Sequence, residues 1–249
     1  MQVLVVGAGA MGQWFARCLR ADDRTHEIRF LDTDRAVART AADALDATVA
    51  SDSPSAVDLV CVAVPIPATA AAIETHGPRA RAAVIDLAGV MADPLDAMAA
   101  VAPDRERASF HPLFAPANAP GTVAAVVDHA GPTIDRVRAA MADRGNRVFE
   151  TDATKHDEAM ATVQASAHAA VLAFGIAAKS VDRRFHTPVS RALFDALADV
   201  TGGESRVYAD IQDAFPGADR VADAAARIAD ADRAEFEDCY REAGEAVDR

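Results

Sequence analysis

The sequence predicts an α/β fold in which a parallel-sheet domain, residues 1–152, is followed by an all-α domain, residues 153–249. In the first half of the chain, short apolar runs rich in β-branched residues alternate with segments of helical periodicity. This alternation is typical of repeated βαβ units around a sheet that is buried on both faces. From Ala153 onward the periodicity is helical almost throughout, which places the domain boundary near Asp152.

Six strands are expected in the first domain, with helices between most of them. The strands are expected at VLVVG (3–7), EIRFLD (27–32), DLVCVAVP (58–65), AAVIDLAG (82–89), GTVAAVVDH (121–129) and RVFET (147–151). The helices are expected at MGQWFARCLRA, RAVARTAADAL, PLDAMAAVA and PTIDRVRAAMADRG. The sheet is therefore expected to be open and parallel, with helices covering its faces.

The composition argues against several classes of protein. Hydrophobic residues make up 51 % of the 249 residues, which is typical of a folded globular protein. The formal net charge of −13 repels nucleic acid and anionic membranes, so neither is expected as a partner. No run of eighteen apolar residues is present, so no transmembrane helix is expected.

The cysteines and the first residues indicate a reducing compartment. Cys18, Cys61 and Cys239 lie far apart and outside any CxxC pattern, so neither a disulfide framework nor a metal site is expected. The chain runs directly into an apolar strand without a basic segment or a cleavage site, which argues against secretion. We therefore expect a cytoplasmic protein.

The excess of acidic residues suggests a halophilic protein. Only two lysines occur, Lys155 and Lys179, and the other basic residues are arginines. At about 1 M salt the Debye length falls to roughly 3 Å, so a highly acidic surface no longer repels itself. The alternative is an ordinary acidic protein from an organism whose proteins are rich in alanine and arginine.

A glycine-rich turn follows the first strand and opens the first helix. Gly7, Gly9 and Gly12 have the G-x-G-x-x-G spacing of a Rossmann-type dinucleotide-binding loop, with Ala10 and Met11 between the last two glycines. Such a loop combines a tight turn, a close approach of the backbone to the pyrophosphate, and a helix N-terminus whose N–H groups bind phosphate. We therefore assign these five residues to cofactor binding.

Asp32 ends the second strand twenty residues after Gly12. A carboxylate at this place accepts hydrogen bonds from the adenosine ribose hydroxyls and repels a 2′-phosphate, so NAD is the expected cofactor. Arg35 lies close by and keeps NADP as the alternative.

Two of the seven histidines, His111 and His168, lie in mostly apolar segments. His111 belongs to FHPLFAP (110–116), where a histidine is either a satisfied core residue or a base. Around His168 the pattern is helical, and Thr154 with Asp157 resembles a capping box that starts this helix.

One face of this helix is predicted to carry a stripe of side chains. His156, Met160, Gln164 and His168 are spaced by four residues and therefore point the same way from an α-helix. Polar side chains on a face otherwise built of alanine and valine are either a satisfied core pair or the wall of a polar cavity.

Several segments, in order along the chain, resemble those of one known family. Besides the glycine loop they are VAVPIPAT (62–69), DLAGVMADPLDAM (86–98), FHPLFAP, KHDEAMATVQASAHAAVLAFG (155–175), TPVSR (187–191) and VYADI (207–211). They resemble the corresponding motifs of the prephenate and arogenate dehydrogenases of tyrosine biosynthesis. The resemblance covers most of the chain, and its most specific part is FHPLFAP combined with the later HDEAM helix.

The resemblance implies NAD-dependent oxidative decarboxylation of prephenate to 4-hydroxyphenylpyruvate. By this resemblance, His111 accepts the proton of the 4-hydroxyl group, while the cofactor takes a hydride from C4 and loss of CO2 aromatises the ring. His168 would line the substrate site, with Gln164 beside it. Val64 and Pro65, in the motif that resembles the family's fourth strand, would lie at the cofactor.

FHPLFAP itself is expected to form a turn that carries the base. Pro112 would stiffen this turn, and Phe110 and Phe114 would form apolar walls around His111. Such walls disfavour the imidazolium ion and keep the ring neutral, ready to accept a proton.

The resemblance also implies partners for the chain. The substrate would be a small molecule, either prephenate or arogenate. The all-α domain would bind substrate and pair with a second copy, because it is poorly suited to bury all its apolar residues alone. A homodimer is therefore expected.

The chain departs from the family pattern at three positions. Gly89 and Met91 stand where the D-x-x-S-x-K segment has serine and lysine, and Asp199 stands where the family has an arginine that grips the ring carboxylate. A carboxylate substrate requires a cation, and Arg191 and Arg206 are the candidates.

Three alternatives remain open from the sequence. The chain resembles arogenate dehydrogenases as well as prephenate dehydrogenases. A second alternative is another small hydroxyacid or imine oxidoreductase, in which Lys155 would act as the acid. The third is a non-catalytic dinucleotide-binding regulator, which the replaced serine, lysine and arginine favour and the retained histidines oppose.

Overall fold

The computed structural model describes residues 1–22, 26–51 and 55–246. The chain forms two compact units, Met1–Glu158 and Ala159–Arg249. The first unit is built around a sheet, and the described part of the second unit is all helical. This is the predicted order of an α/β unit followed by an α unit.

The first unit contains an eight-stranded sheet. Its strands are β1 (Gln2–Val6), β2 (Glu27–Leu31), β3 (Thr48–Val49), β4 (Val57–Val62), β5 (Ala80–Asp86), β6 (Glu106–Pro112), β7 (Thr122–His129) and β8 (Arg147–Glu150). The order across the sheet is β3-β2-β1-β4-β5-β6-β7-β8. All neighbours are parallel except β6 and β7, which are antiparallel, so the expectation of an all-parallel sheet holds for all but this pair.

The six predicted strands are present, and two further strands were missed. β3 has only two residues, too few for a pattern to be recognised. β6 contains Ser109 and His111, and these polar residues interrupt the apolar run that marks a buried strand. The expected turn at FHPLFAP is therefore wrong, because residues up to Pro112 continue the strand.

Helices cover both faces of the sheet. They are α1 (Ala10–Asp22), α2 (Arg35–Ala44), α3 (Ile66–His76), α4 (Ala92–Val101), α5 (Pro132–Asp143) and α6 (Ala153–Met160). One core forms between the sheet and α1, α2 and α5, and a second forms on the side of α3 and α4. Successive residues of β1 point into opposite cores, as strand geometry requires. Val3 and Val5 pack in the first core, and Leu4 and Val6 pack in the second.

The second unit is a set of helices. A π-helical segment, Ala161–Ser166, is followed by α7 (Ala167–Ala177), α8 (Pro188–Thr201), α9 (Ser205–Ala214), α10 (Ala218–Asp230) and α11 (Arg233–Glu245). The two units divide between Glu158 and Ala159, inside α6.

One continuous helix, Ala153–Ala177, is long and apolar enough to cross a membrane by length and composition. Its mean hydropathy reaches 1.4, and only 17 % of that window is buried. Its sequence contains no unbroken apolar run of eighteen residues, because polar residues such as Gln164 and His168 interrupt it, but its mean hydropathy is still high. A single such helix is weak grounds for a membrane span, because length and composition alone do not distinguish a membrane helix from other apolar helices.

Candidate active site

The glycine loop is shaped by contacts that exclude side chains. Gly7 has φ +97°, and a Cβ there would lie 2.2 Å from the carbonyl oxygen of Ala63. A Cβ on Gly12 would lie 2.1 Å from the carbonyl oxygen of Gly7. Both positions therefore require glycine, one for the turn and one for the close packing of α1 against it.

Gly9 differs, because no atom lies within 4 Å of the place where its Cβ would be. Gly9 and Ala10 are exposed where α1 begins, and Met11 follows in its first turn. The first N–H groups of a helix have no intrahelical acceptor and bind phosphate readily. The open space at Gly9 and these free donors fit the pyrophosphate of a dinucleotide.

Asp32 lies beside this loop. Its Oδ2 accepts a hydrogen bond of 2.8 Å from the backbone N–H of Ala8, and its Oδ1 accepts one of 2.9 Å from Asp34. A carboxylate has about four acceptor sites, so these bonds leave capacity for ribose hydroxyls.

Val64 also lies at the loop, and Pro65 is its neighbour in the chain. A Cβ on Gly7 would be 3.2 Å from Cγ1 of Val64, and Pro65 is the residue that precedes α3. The structure thus brings together the predicted cofactor residues from three parts of the first unit.

His111 lies on β6, between β5 and β7. Its side chain is 7 % exposed, while Phe110 is fully buried in the core with α1 and α5. Because neighbouring residues of a strand point to opposite faces, Phe110 is not a wall around the histidine ring. Phe114 instead meets Trp14 edge-on, with ring centroids 5.5 Å apart, so the expected aromatic enclosure is wrong.

A second histidine contacts His111. The Nδ1 atom of His111 lies 2.9 Å from Nε2 of His156, which is on α6 and 3 % exposed. Nδ1 of His156 lies 2.8 Å from Oδ1 of Asp157. We refer to His111, His156 and Asp157 as the histidine chain.

Asp157 is anchored at the start of α4. Its Oδ1 accepts a hydrogen bond of 3.1 Å from the N–H of Met91, and its Oδ2 accepts one of 3.3 Å from Ala92. The predicted capping box is therefore wrong, because the side chain of Asp157 binds the N–H groups at the start of α4. The start of α6 is capped by Asp152 instead. Oδ1 of Asp152 accepts a 2.8 Å bond from the N–H of Lys155.

Burial keeps His111 neutral. Burial, and to a smaller extent His156, lower the pKa of His111 to about 3, while Asp157 acts in the opposite direction. The ring is thus an uncharged hydrogen-bond acceptor at neutral pH, as predicted, although burial by the fold rather than two phenylalanines is the cause.

Gly89 lies against the other nitrogen of this ring. A Cβ on Gly89 would be 3.6 Å from Nε2 of His111 and 3.3 Å from Cδ1 of Ile66. A side chain at position 89 would therefore lie in van der Waals contact with Nε2, and glycine places none there. Met91, which replaces the lysine, is fully buried, and only its backbone takes part in the polar network.

A further acid is buried nearby. Asp86 ends β5 opposite Ser109 of β6, and its Oδ1 accepts a 2.7 Å bond from the N–H of Ala88. Burial raises the pKa of Asp86 to about 7 against the effect of that bond, and Asp157 adds to the rise. This pKa places its ionisation near neutral pH.

In the second unit, His168 pairs with a tyrosine. Its ring meets Tyr208 edge-on with centroids 4.8 Å apart, and burial lowers the pKa of His168. Nδ1 of His168 is buried without a hydrogen-bond partner in the described part of the chain. Gln164 is half-buried in the π-helical segment, so the predicted α-helical spacing of four is not kept between it and His156.

The two candidate arginines lie in different settings. Arg191 lines a cavity of about 650 Å³ together with Lys179, Arg183 and His186. Arg206 is exposed and lies 3.7 Å from the carboxylate of Glu204.

Known proteins resemble this chain in sequence and in fold. Residues 15–129 match the family model described as prephenate dehydrogenase, nucleotide-binding domain. A 4-amino-4-deoxyprephenate dehydrogenase from Streptomyces pristinaespiralis is 35 % identical over 237 residues, covering 87 % of this chain and 78 % of the relative. The chain belongs to the prephenate dehydrogenase family.

Solved structures of this family share the fold. A prephenate dehydrogenase from Aquifex aeolicus, crystallised with hydroxyphenyl propionate and NAD+, has a TM-score of 0.70 at 16 % identity and covers 99 % of this chain and 90 % of its own. An arogenate dehydrogenase from Synechocystis has a TM-score of 0.62 at 17 % identity, with coverage of 100 % and 99 %. The chain is thus a dehydrogenase of this family with a nucleotide-binding domain, and its family members differ in substrate.

Sequence reasoning missed the roles of His156 and Asp157 in the histidine chain, because they were read only as part of a stripe and a capping box. In the second unit it also missed the contact of Tyr208 with His168, because Tyr208 was read only as part of the VYADI segment. The adjacency of His156 and Asp157 in the HD dipeptide was a signal, because an imidazole beside a carboxylate is a common way to orient a histidine. The pairing of His156 with His111, 45 residues away, had no local signal.

Proposed function

We propose that this enzyme uses NAD to convert prephenate to 4-hydroxyphenylpyruvate and CO2. The observation that carries the proposal is the buried, neutral His111 whose Nε2 lies beside Gly89. This base belongs to the same compact unit as the glycine loop. The family membership supports the reaction type.

The chemistry follows from these groups. NAD supplies the hydride acceptor. Nε2 of His111 accepts the proton of the C4 hydroxyl as the C4–H bond breaks and the hydride departs, which leaves a carbonyl at C4. The bond to the ring carboxylate then breaks, CO2 leaves, and its electron pair aromatises the ring. The resulting phenolate takes the proton back from His111, so the base is regenerated without net proton release.

We propose NAD over NADP because of Asp32. A carboxylate that closes the loop beside Ala8 repels a 2′-phosphate and accepts hydrogen bonds from the ribose. Arg35 follows three residues later and supports NADP as the weaker candidate.

The remaining roles are proposals for the second unit. His168 and Gln164 contact the substrate, as the family resemblance implies. Arg191 is the better candidate for binding a carboxylate, because it lines a cavity with other basic side chains, whereas Arg206 already lies beside Glu204. Arg191 would then take over the role of the arginine that Asp199 replaces.

A second candidate substrate is 4-amino-4-deoxyprephenate. The relative of 35 % identity is named for this compound. If this compound binds with its C4 amine as an ammonium ion, the reaction must release one proton to solvent. The reaction of the C4 hydroxyl compound releases no proton overall. Because burial opposes a lasting charge on His111, the histidine chain fits the hydroxyl better.

The test is a direct assay of the purified protein. Prephenate, arogenate and 4-amino-4-deoxyprephenate are each mixed with NAD or NADP, and formation of the reduced cofactor is measured. We expect the highest kcat/KM with prephenate and NAD. Each assay is run at high and at low salt, because the acidic composition favours a halophilic cytoplasmic protein. Cofactor binding without turnover of any substrate would favour a non-catalytic regulator.

We also propose that the chain forms a homodimer through its helical unit. Ile176 is 87 % exposed and Val189 72 % exposed, which is unusual for large apolar side chains. The net charge of −13 disfavours binding of this surface to an anionic membrane. A second copy of the chain presents an equally apolar surface that can pack against it. Light scattering at assay salt should give twice the 26.0 kDa of one chain.

The substitution Ile176→Asp should shift the protein toward the monomer, because it places a carboxylate in the apolar contact. Val37→Asp is the control, since Val37 is also an exposed apolar residue but lies on α2 of the first unit. A monomeric mass for the unchanged protein would overturn the proposal.

A further inference from the structure

We propose that His156 and Asp157 are positioning residues that fix the tautomer of His111 and stabilise its transient protonated form. The inference rests on the proposed function of His111 as the base. It follows from the order of donors and acceptors along the histidine chain.

The order begins at Asp157. Both of its oxygens accept backbone N–H bonds at the start of α4, and a carboxylate can only accept. Nδ1 of His156, 2.8 Å from Oδ1, must therefore carry a hydrogen. In a neutral imidazole the other nitrogen then has a lone pair.

The same rule applies at the next contact. Nε2 of His156 accepts, so Nδ1 of His111, 2.9 Å away, carries the hydrogen. This leaves the lone pair of His111 on Nε2, the atom that faces Gly89. The carboxylate of Asp157 thus determines, through two rings, which nitrogen of the base can accept a proton.

The histidine chain also stabilises His111 when the base becomes protonated. Once Nε2 of His111 has taken the hydroxyl proton, its Nδ1–H donates to His156 as a charge-assisted hydrogen bond, which is stronger than a neutral one. Since the proton returns to the product, His156 does not need to pass it on. Both rings are almost completely buried. This burial is compatible with a positive charge that His111 carries only until the product takes the proton back.

The decisive variant is Asp157→Ala. Oδ1 of Asp157 faces both the N–H of Met91 and Nδ1 of His156, so the single oxygen of an asparagine could keep both contacts, whereas alanine removes the acceptor. Nothing then fixes the hydrogen on Nδ1 of His156, and His111 is no longer held with its lone pair on Nε2. We expect kcat to fall by at least about 10-fold with KM nearly unchanged.

Two substitutions of His156 separate positioning from packing. In His156→Gln the side-chain oxygen can take the place of Nε2 and accept from His111, so most activity should remain. In His156→Asn the polar group is too short to reach His111 and kcat should fall by at least about 10-fold. Glu158→Ala, which removes an exposed acid on the same helix, is the matched control for Asp157→Ala and should behave as the unchanged protein.

Nitrogen NMR of the histidine rings gives a readout that needs no turnover. We expect His111 as the Nδ1–H tautomer in the unchanged protein and as a mixture of both tautomers in Asp157→Ala. An Nε2–H tautomer in the unchanged protein, or an Asp157→Ala variant with full kcat, would overturn the inference. Absence of turnover with the expected tautomers would instead count against the proposed function alone.

Discussion

Replacing His111 by asparagine should abolish most of the dehydrogenase activity while leaving cofactor affinity unchanged. The asparagine amide can keep the contact to His156 but has no atom at the place of Nε2, so nothing accepts the hydroxyl proton. Loss of a general base lowers kcat by about 10² to 10⁴-fold. Steady-state kinetics with prephenate, together with calorimetric titration of NAD, measure the two effects separately.

His129→Asn is the matched control for this substitution. His129 is exposed at the end of β7, the strand that pairs with the strand of His111, so its loss should leave kcat and NAD affinity unchanged. If His111→Asn retained a kcat within a few-fold of the unchanged protein, the base would have to be another residue.

Removing the carboxylate of Asp32 should weaken NAD binding and reduce the preference for NAD over NADP. Asp32→Ala loses acceptors for the ribose hydroxyls and also the bond that holds the N–H of Ala8. Hydrogen bonds to a charged group contribute about 1.5–3 kcal/mol, which corresponds to a rise in the dissociation constant of NAD of about 10- to 150-fold. NADP should lose less, because the repulsion of its 2′-phosphate disappears as well.

Titration of both cofactors against Asp32→Ala and against Asp43→Asn checks this expectation. Asp43 is an exposed acid on α2, the helix that follows Asp32, so its change tests whether net charge alone affects binding. An Asp32 variant with unchanged NAD affinity would show that the ribose is bound elsewhere.

The geometry of the glycine loop could be predicted almost completely from the sequence. The glycine spacing, the following helix and the acid at the end of the second strand are local features with strong physical constraints, and the structure adds the contacts that explain them. Gly7 and Gly12 leave no space for a side chain. Gly9 leaves the space that a phosphate group needs.

The setting of His111 was predicted less well. Its identity as a buried neutral histidine is confirmed, but the expected turn and aromatic walls are wrong. A histidine and a serine within the run obscured the strand, and strand alternation directs Phe110 into the opposite core. Asp157 was taken for a local cap because the residues that it contacts, Met91 and Ala92, lie more than sixty positions earlier.

The sequence by itself determined the order of an α/β unit and a helical unit, the glycine loop, the acid beside it, and the two histidines of interest. These depend on periodicity and short-range spacing, which a single sequence contains. Only the tertiary structure decided which atoms face each other: His156 against His111, Asp157 against the start of α4, and Gly89 in front of Nε2. Such contacts join distant segments, and their geometry depends on strand register and helix placement, which local patterns do not specify.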